Sequence, residues 1–363
     1  MLIEELDTPA VVIDLDVMER NIARLSQYAA ANHLNLRPHT KTHKIPDIAK
    51  LQIAEGATGV TVAKPGEARV MVDDDVRDLM IAYPLVTAAK ADHAAQLARE
   101  CQLRVSLDSP EAIAALGSGT LRHDSRIGIL IEIDTGFRRC GVETPEAALL
   151  LAREVQRHSH LDFLGLMFYP GHLGKPPEEQ PAAIAEVNAI LDSFYRAFQI
   201  AGIDLPVVSG GSTPTAFRSH LFNGITEIRP GMYLLNDANL VRMGVAGLDD
   251  CALHVVVTVA STAVPGRAIV DGGSKTFSSD RSRNEPVSYG MIREDSQAIF
   301  VALSEEHGHL DISNSGRKYK VGERLRVLPN HVCTTVNMHD YLYGVRNGEV
   351  EKVWEITARG KVQ

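Results

Sequence analysis

This chain has few cysteines, no long apolar run and fewer basic than acidic side chains. Four cysteines in 363 residues do not make a disulfide framework. Three of them, Cys101, Cys140 and Cys251, stand in apolar surroundings and are expected to be small buried residues. No apolar stretch approaches the ~20 residues that a membrane span needs. The N-terminus, MLIEELDTPAVVIDLD, carries acids where a signal peptide would carry a basic n-region, so a cytoplasmic protein is expected. With 46 acidic against 37 basic side chains the formal charge is -9. That balance argues against a nucleic-acid groove and does nothing to recruit an anionic membrane. Neither GxxxxGK[ST] nor GxGxxG occurs, so a nucleotide is not the expected ligand. Solenoid repeats and low-complexity tracts are missing too.

What is present is the composition of a globular protein, 45% hydrophobic and 23% charged, in a chain long enough for two domains. Between Leu34 and Leu234 eight β-rich runs alternate with helical or turn-rich segments. They are LNLRPHTK, GVTVAK, LMIAYPL, LRVSLDS, RIGILIEIDTG, LDFLGLMFYPGH, LPVVSGGST and TEIRPGMYL. Apolar residues recur at three- and four-residue steps in 17–33, 86–101, 144–159 and 180–202, as in helices packed on a sheet. Strand-then-helix alternation predicts an α/β fold, a (β/α)8 barrel, whose active site is built at the strand C-termini. After about Arg242 the texture changes to β-branched runs broken by Gly and Pro, such as LHVVVTVASTAV and GERLRVLPNHVC. These predict an appended antiparallel β domain. The expected division is a barrel over 15–245 and a β domain over 246–363. The strand within 1–14 would join the latter sheet and bring the chain ends together.

Residues with chemistry gather where the eight runs end. In RPHTKTHK, Lys41 stands among Arg37, Lys44, His39 and His43. Cations crowding a lysine at a strand end should depress its pKa and free it as an amine nucleophile. A solvated basic loop is the alternative, and Lys44 and Lys64 are rival amines. SGGSTPT offers Ser209, Gly210, Gly211, Ser212 and Thr213 ahead of a short helical stretch, a plausible anion cradle or else a glycine turn. A lysine amine and a phosphate cradle in one barrel mouth point to pyridoxal 5'-phosphate (PLP). IEIDTGFRRCGV adds Asp134 and Arg139, FYPGH adds Tyr169 and His172, and the eighth run ends at Tyr233. In PNHVCTTVN, a strand would put His331 and Cys333 on one side as zinc ligands with positions left open. SEEHGH supplies Glu306, His307 and His309 as further candidates or as polar surface.

Taken together these segments resemble the D-threonine aldolase and D-serine dehydratase family, PLP enzymes of the alanine-racemase fold type, over nearly the whole chain. The resemblance implies that Lys41 bears the cofactor and that Arg139 meets its phenolate oxygen. It implies that SGGST takes the phosphate and that Tyr169 lies near the pyridine ring; Tyr233, at the end of the eighth run, is counted with the cofactor site by its position. It further implies a divalent metal, Zn or Mn, on His331 and Cys333, with His172 or His307 positioning a metal-bound water. A D-3-hydroxy amino acid is the implied substrate and a homodimer the implied assembly. The aldolase metal segment usually offers His and a carboxylate; here Cys333 stands in the carboxylate's place, as in the dehydratases, while TTVNMHD is closer to the aldolases. A thiolate shifts preference towards zinc. The expected activity is a PLP-dependent lyase of the aldolase type, with a dehydratase as the alternative and a racemase as a more distant one.

Overall fold

The computed structural model describes residues 1–282 and 286–363. The eight runs form eight parallel strands: Asn35–Leu36, Val60–Val62, Asp78–Ile81, Gln102–Leu107, Ile127–Ile133, Leu161–Phe168, Val207–Gly210 and Glu227–Ile228. Thr61 N–H donates to the Pro38 carbonyl, Thr58 N–H to that of Leu36, and a bridge pairs His39 with Thr61. These contacts close the ring, and the fold is the expected (β/α)8 barrel.

Alternation along each strand decides what faces the helices and what faces the axis. Ile127, Ile129, Ile131 and Ile133 join the layer beneath the helices, together with Leu103, Val105 and Leu107. Leu130 turns the other way and packs with Met80 and Met167. Two residues on from Leu130, Glu132 shares the inner face. The helices begin as their sequences ask. Thr144 accepts the amide of Ala147 and Pro145 opens the helix Pro145–Gln156. Ser109, by contrast, makes no side-chain cap bond, leaving Pro110 alone to set the first turn of Pro110–His123.

The inner face near the strand starts is ionic. Arg37, sealed from solvent, donates Nε to Glu227 at 2.7 Å and Nη1 to Asp78 at 2.7 Å. Arg104 reaches Glu227 at 3.3 Å and Asp78 at 3.7 Å. Two cations thus share two carboxylates, so neither buried charge is left uncompensated.

The C-terminal β-branched runs belong to a nine-stranded sheet. Its strand Ala10–Asp14 lies antiparallel to Leu253–Ser261 and parallel to Tyr341–Arg346, so the N-terminal strand does bring the chain ends together. A pairing of Leu253–Ser261 with Arg267–Val270 closes six of the strands into a second ring. Contacts divide the chain into two units, one of residues 1–22, 42–44 and 232–359, the other of residues 23–41, 45–231 and 360–363. Among the described residues no helix is long and apolar enough to cross a membrane.

Two expectations are corrected. The strand expected through His331 and Cys333 stops at Pro329, and Val332–Val336 is a short helix with His331 at its N-cap. Asn330 makes the break. Its buried side-chain amide donates to the carbonyls of Ser288 and Asp280, and its oxygen accepts from Arg242 at 2.6 Å. Of the three cysteines expected to be buried, only Cys251 is. Cys101 and Cys140 are half-buried, and among the described residues none of the four cysteines forms a disulfide.

Candidate active site

Beyond the strand Asn35–Leu36 the chain runs into a single 3-10 turn, Thr40–Thr42, that carries Lys41 half-buried. Beside it His39 is buried, and its amide-side neighbour Lys41 N–H points at His39 Nδ1 from 3.4 Å. Burial first, then the charges of Lys41, Arg229 and Arg139, hold the His39 ring well below its ordinary pKa. The ring is therefore neutral at physiological pH. The rival amines are otherwise engaged: Lys64 Nζ sits 3.2 Å over the Tyr83 ring, and Lys44 is buried in a left-handed backbone turn.

Arg229 is the cation that sequence reasoning passed over. Buried, it donates Nε to Ser209 Oγ at 2.9 Å and Nη2 to the Phe168 carbonyl at 2.9 Å. Ser209 in turn donates to Glu227 Oε1 at 2.7 Å, so its hydroxyl is held between two inner-face charges. The TEIRPGMYL run contained the signal, since period-two alternation puts residues 227 and 229 on one face. Glu132 was also missed. Burial pushes its carboxyl up to about 7, with Arg139 and Arg229 opposing and Asp108 and Asp134 assisting. Arg139 Nη2 lies 3.9 Å from Glu132 Oε1. Its guanidinium also stands 4.6 Å over the Tyr169 ring, which meets Phe137 edge-on at 5.4 Å. Arg139 and Tyr169 are thus together, as the motifs predicted separately. His172 is exposed on the turn Gly171–Leu173, and burial, the largest influence, lowers its pKa against the pull of Asp134 and Glu186. Asp134 accepts the amides of Gly136 and Arg138 and shapes the loop that carries Arg139.

The glycines of the seventh strand's end are sterically required. A Cβ on Gly210 would stand 2.3 Å from the Phe168 ring, and Gly211 has φ +82°. Gly211 and Ser212 are buried, yet neither amide meets an acceptor among the described residues. Two buried, unanswered amides make a cradle for an anion. Ser212 Oγ lies 3.1 Å from Thr215 Oγ1, and Thr213 is buried beside it.

In the other unit, His331 Nδ1 lies 3.4 Å from Asp237 Oδ2 and Cys333 Sγ lies 3.3 Å from Thr42 Oγ1. Burial opposes a charge on His331, but hydrogen bonds to Asp237 and Cys333 outweigh it and raise the ring to about 11. Imidazole and thiol are therefore close despite the helix, a donor pair suited to zinc. Among the described residues no group of three or more His, Cys, Asp or Glu side chains is arranged to hold a metal. Tyr233 is buried in the turn Met232–Leu234. His307 is exposed on the turn between Ile299–Leu303 and Gly308–Asp311. Near it Glu306 bonds Lys275 at 2.7 Å, and His309 bonds Ser304 at 3.0 Å.

Residues 13–238 match the family model described as "Alanine racemase, N-terminal domain", more than half of the chain. The chain belongs to this family. Residues 252–345 match a second model, "Putative serine dehydratase domain". A 3-hydroxy-D-aspartate aldolase of Paracoccus denitrificans (strain Pd 1222) is 34% identical, covering 98% of this chain and 93% of its own. A D-threo-3-hydroxyaspartate dehydratase of Delftia sp. (strain HT23) is 35% identical over 91% of this chain and 92% of its own. The solved D-threonine aldolase of Filomicrobium marinum superposes with a TM-score of 0.92 at 32% identity, covering 100% of this chain and 99% of its own. Solved forms of D-threo-3-hydroxyaspartate dehydratase include alanine variants at a histidine and at a cysteine two positions apart, the latter in a metal-free form. Family members thus include both aldolases and dehydratases, which are lyases.

Proposed function

We propose that this chain is a PLP- and divalent-metal-dependent lyase that cleaves D-3-hydroxy amino acids to glycine and an aldehyde, as a D-threonine aldolase does. The barrel-mouth set carries the reading: a lysine on the first strand's turn, and two buried amides on the seventh that meet no acceptor among the described residues. PLP fits those residues, an amine for its aldehyde carbon and a cradle for its phosphate. When bound, PLP supplies an electron sink for negative charge at the substrate's Cα.

The chain's own residues then have distinct tasks. Lys41 would hold the cofactor, the amides of Gly211 and Ser212 its phosphate, with the Ser212 and Thr213 hydroxyls alongside. Ser209, already bonded to Arg229 and Glu227, would support the cradle from beneath. Arg139 would meet the phenolate oxygen, and Tyr169, already stacked under that guanidinium, would flank the ring. We assign Tyr233 to the cofactor's surroundings by its place at the end of the eighth run. His331 and Cys333 would hold the metal, and a thiolate ligand favours zinc over manganese. That ion would act as a Lewis acid towards the substrate's 3-hydroxyl. His172, with its pKa lowered, is the favoured acceptor for the hydroxyl proton, and His307 the second candidate. Homodimer assembly and a cytoplasmic location belong to the same reading.

A dehydratase is the second reading, and Cys333 favours it. His331 and Cys333 have the two-residue spacing of the histidine and cysteine varied in the dehydratase structures. In that reaction Lys41 would take the Cα proton, the 3-hydroxyl would leave as water, and hydrolysis would yield a 2-oxo acid and ammonia. Product analysis on D-threonine and D-serine, with PLP and zinc or manganese added, tests both. Glycine and acetaldehyde from D-threonine are expected. A 2-oxo acid and ammonia would replace the aldolase by the dehydratase, and no lyase product from either would overturn both.

A further inference from the structure

His331 has two ring nitrogens, and a single metal ion can take only one. Nδ1 faces Asp237 Oδ2 at 3.4 Å, across 94 residues of sequence. Asp237 is 1% exposed, and its other oxygen, Oδ1, accepts the Leu240 amide at 2.9 Å to cap the helix Ala238–Arg242. The cap fixes the carboxylate plane, so Oδ2 is held toward the ring. An ionised carboxylate only accepts hydrogen bonds, so the nitrogen that faces it carries the hydrogen. In the neutral ring that a metal requires, the lone pair is then on Nε2.

We propose that Asp237 is a positioning residue for metal binding, selecting the Nδ1–H tautomer of His331 and aiming Nε2 at an ion shared with Cys333. The inference rests on the reading of His331 and Cys333 as a zinc pair. A carboxylate behind a ligating histidine fixes its tautomer and raises its basicity, and losing such a partner costs about 10–100-fold in metal affinity.

The double duty of Asp237 makes a sharp test. In Asp237→Asn the single amide oxygen is claimed by the Leu240 amide, which leaves the NH2 group facing His331. A donor there selects the Nε2–H tautomer, which has no lone pair for a metal at that nitrogen. In Asp237→Ser the hydroxyl can still cap the helix, but nothing is imposed on the ring. Affinity for zinc should therefore fall in the order wild type, serine, asparagine, although asparagine is the closer isostere.

The measurement is a zinc dissociation constant by competition with a chromophoric chelator, on full-length PLP-loaded protein, with the PLP absorbance and thermal midpoint followed in parallel. We expect a ~10–100-fold loss in Asp237→Ser and a larger one in Asp237→Asn. The PLP band and midpoint should stay close to wild type in both, because the helix cap survives. Wild-type affinity in Asp237→Asn, or a weaker Asp237→Ser than Asp237→Asn, would overturn the inference. A wild-type protein that binds no zinc, or His331→Ala that binds it as tightly as wild type, would instead remove the metal reading beneath it.

Discussion

The hydroxyl of Thr42 lies 3.3 Å from the sulfur of Cys333, although 291 residues separate them in sequence. Thr42 is fully buried and directly follows Lys41. Once Cys333 is a thiolate, that hydroxyl can only donate to it, and the donation helps set how much charge the sulfur offers a metal. Thr42→Val keeps the shape and removes the donor. Zinc affinity should change by about 10-fold, at the lower end of the range for outer partners of metal ligands. Thr42→Ser should retain wild-type affinity. Equal affinities in all three proteins would make the contact one of packing only.

Lys41→Ala should abolish the cofactor absorbance near the visible edge and with it all turnover. His39, held neutral by burial and by the cations around it, cannot replace the amine. Survival of the band in Lys41→Ala would move the cofactor to Lys44 or Lys64. The engagement of Lys64 with Tyr83 and the burial of Lys44 argue against both.

Much of this arrangement was legible in the chain itself, and the parts that were not share one physical cause. The eight strands announce themselves by short apolar runs, and the N-terminal strand by its β-branched VVI. Residues tied to local motifs, such as Lys41, Arg139 and the SGGST glycines, could be located because loop chemistry is local. Arg229, Glu227, Glu132 and Asp237 could not. Each is a buried charge whose meaning lies in partners brought close only by folding, as with Asp237 and His331. The His331 segment was misread as strand because its β-branched run is continuous in composition. The stop at Pro329 depends on Asn330 finding distant carbonyls.

Glu132 links folding to pH. Its pKa in the folded protein, about 7, lies above the ordinary carboxyl value of 4.5. Between those values the folded state holds a proton that the unfolded chain releases, so stability falls as pH rises through the interval. The full swing is on the order of 3 kcal/mol. In the cofactor-free protein, Glu132→Gln should remove this slope. Its thermal midpoint should gain on wild type progressively from pH 5 to pH 8. A constant difference across that range would show that Arg139 and Arg229 keep Glu132 ionised throughout.

Glu227 is the pivot of the inner-face charges, bonded to Arg37, Arg104 and Ser209. Glu227→Ala takes from the buried Arg37 one of its two carboxylate partners and leaves it Asp78 alone. Breaking a buried pair from one side costs about 3–5 kcal/mol. Urea unfolding should show a loss of that size. It should be accompanied by weaker PLP binding, because Ser209 and Arg229 lose their common anchor. A loss below about 1 kcal/mol would mean that water or Asp78 compensates Arg37 without Glu227.

Gly210→Ala separates packing from cofactor binding at the seventh strand. The added Cβ would stand 2.3 Å from the ring of Phe168, itself fully buried and packed edge-on against Phe222 at 5.4 Å. The ring has no room to retreat, so the strand end must move, at about 1–3 kcal/mol. That movement shifts the amides of Gly211 and Ser212, which follow directly in the chain. Both stability and PLP affinity should therefore fall, the latter by about 10-fold if one phosphate hydrogen bond of ~1.5 kcal/mol is lost. Gly316→Ala, where a Cβ meets nothing within 4 Å among the described residues, is the neutral comparison. Reduced stability with unchanged PLP affinity would confine Gly210 to packing and place the phosphate elsewhere than on the SGGST turn.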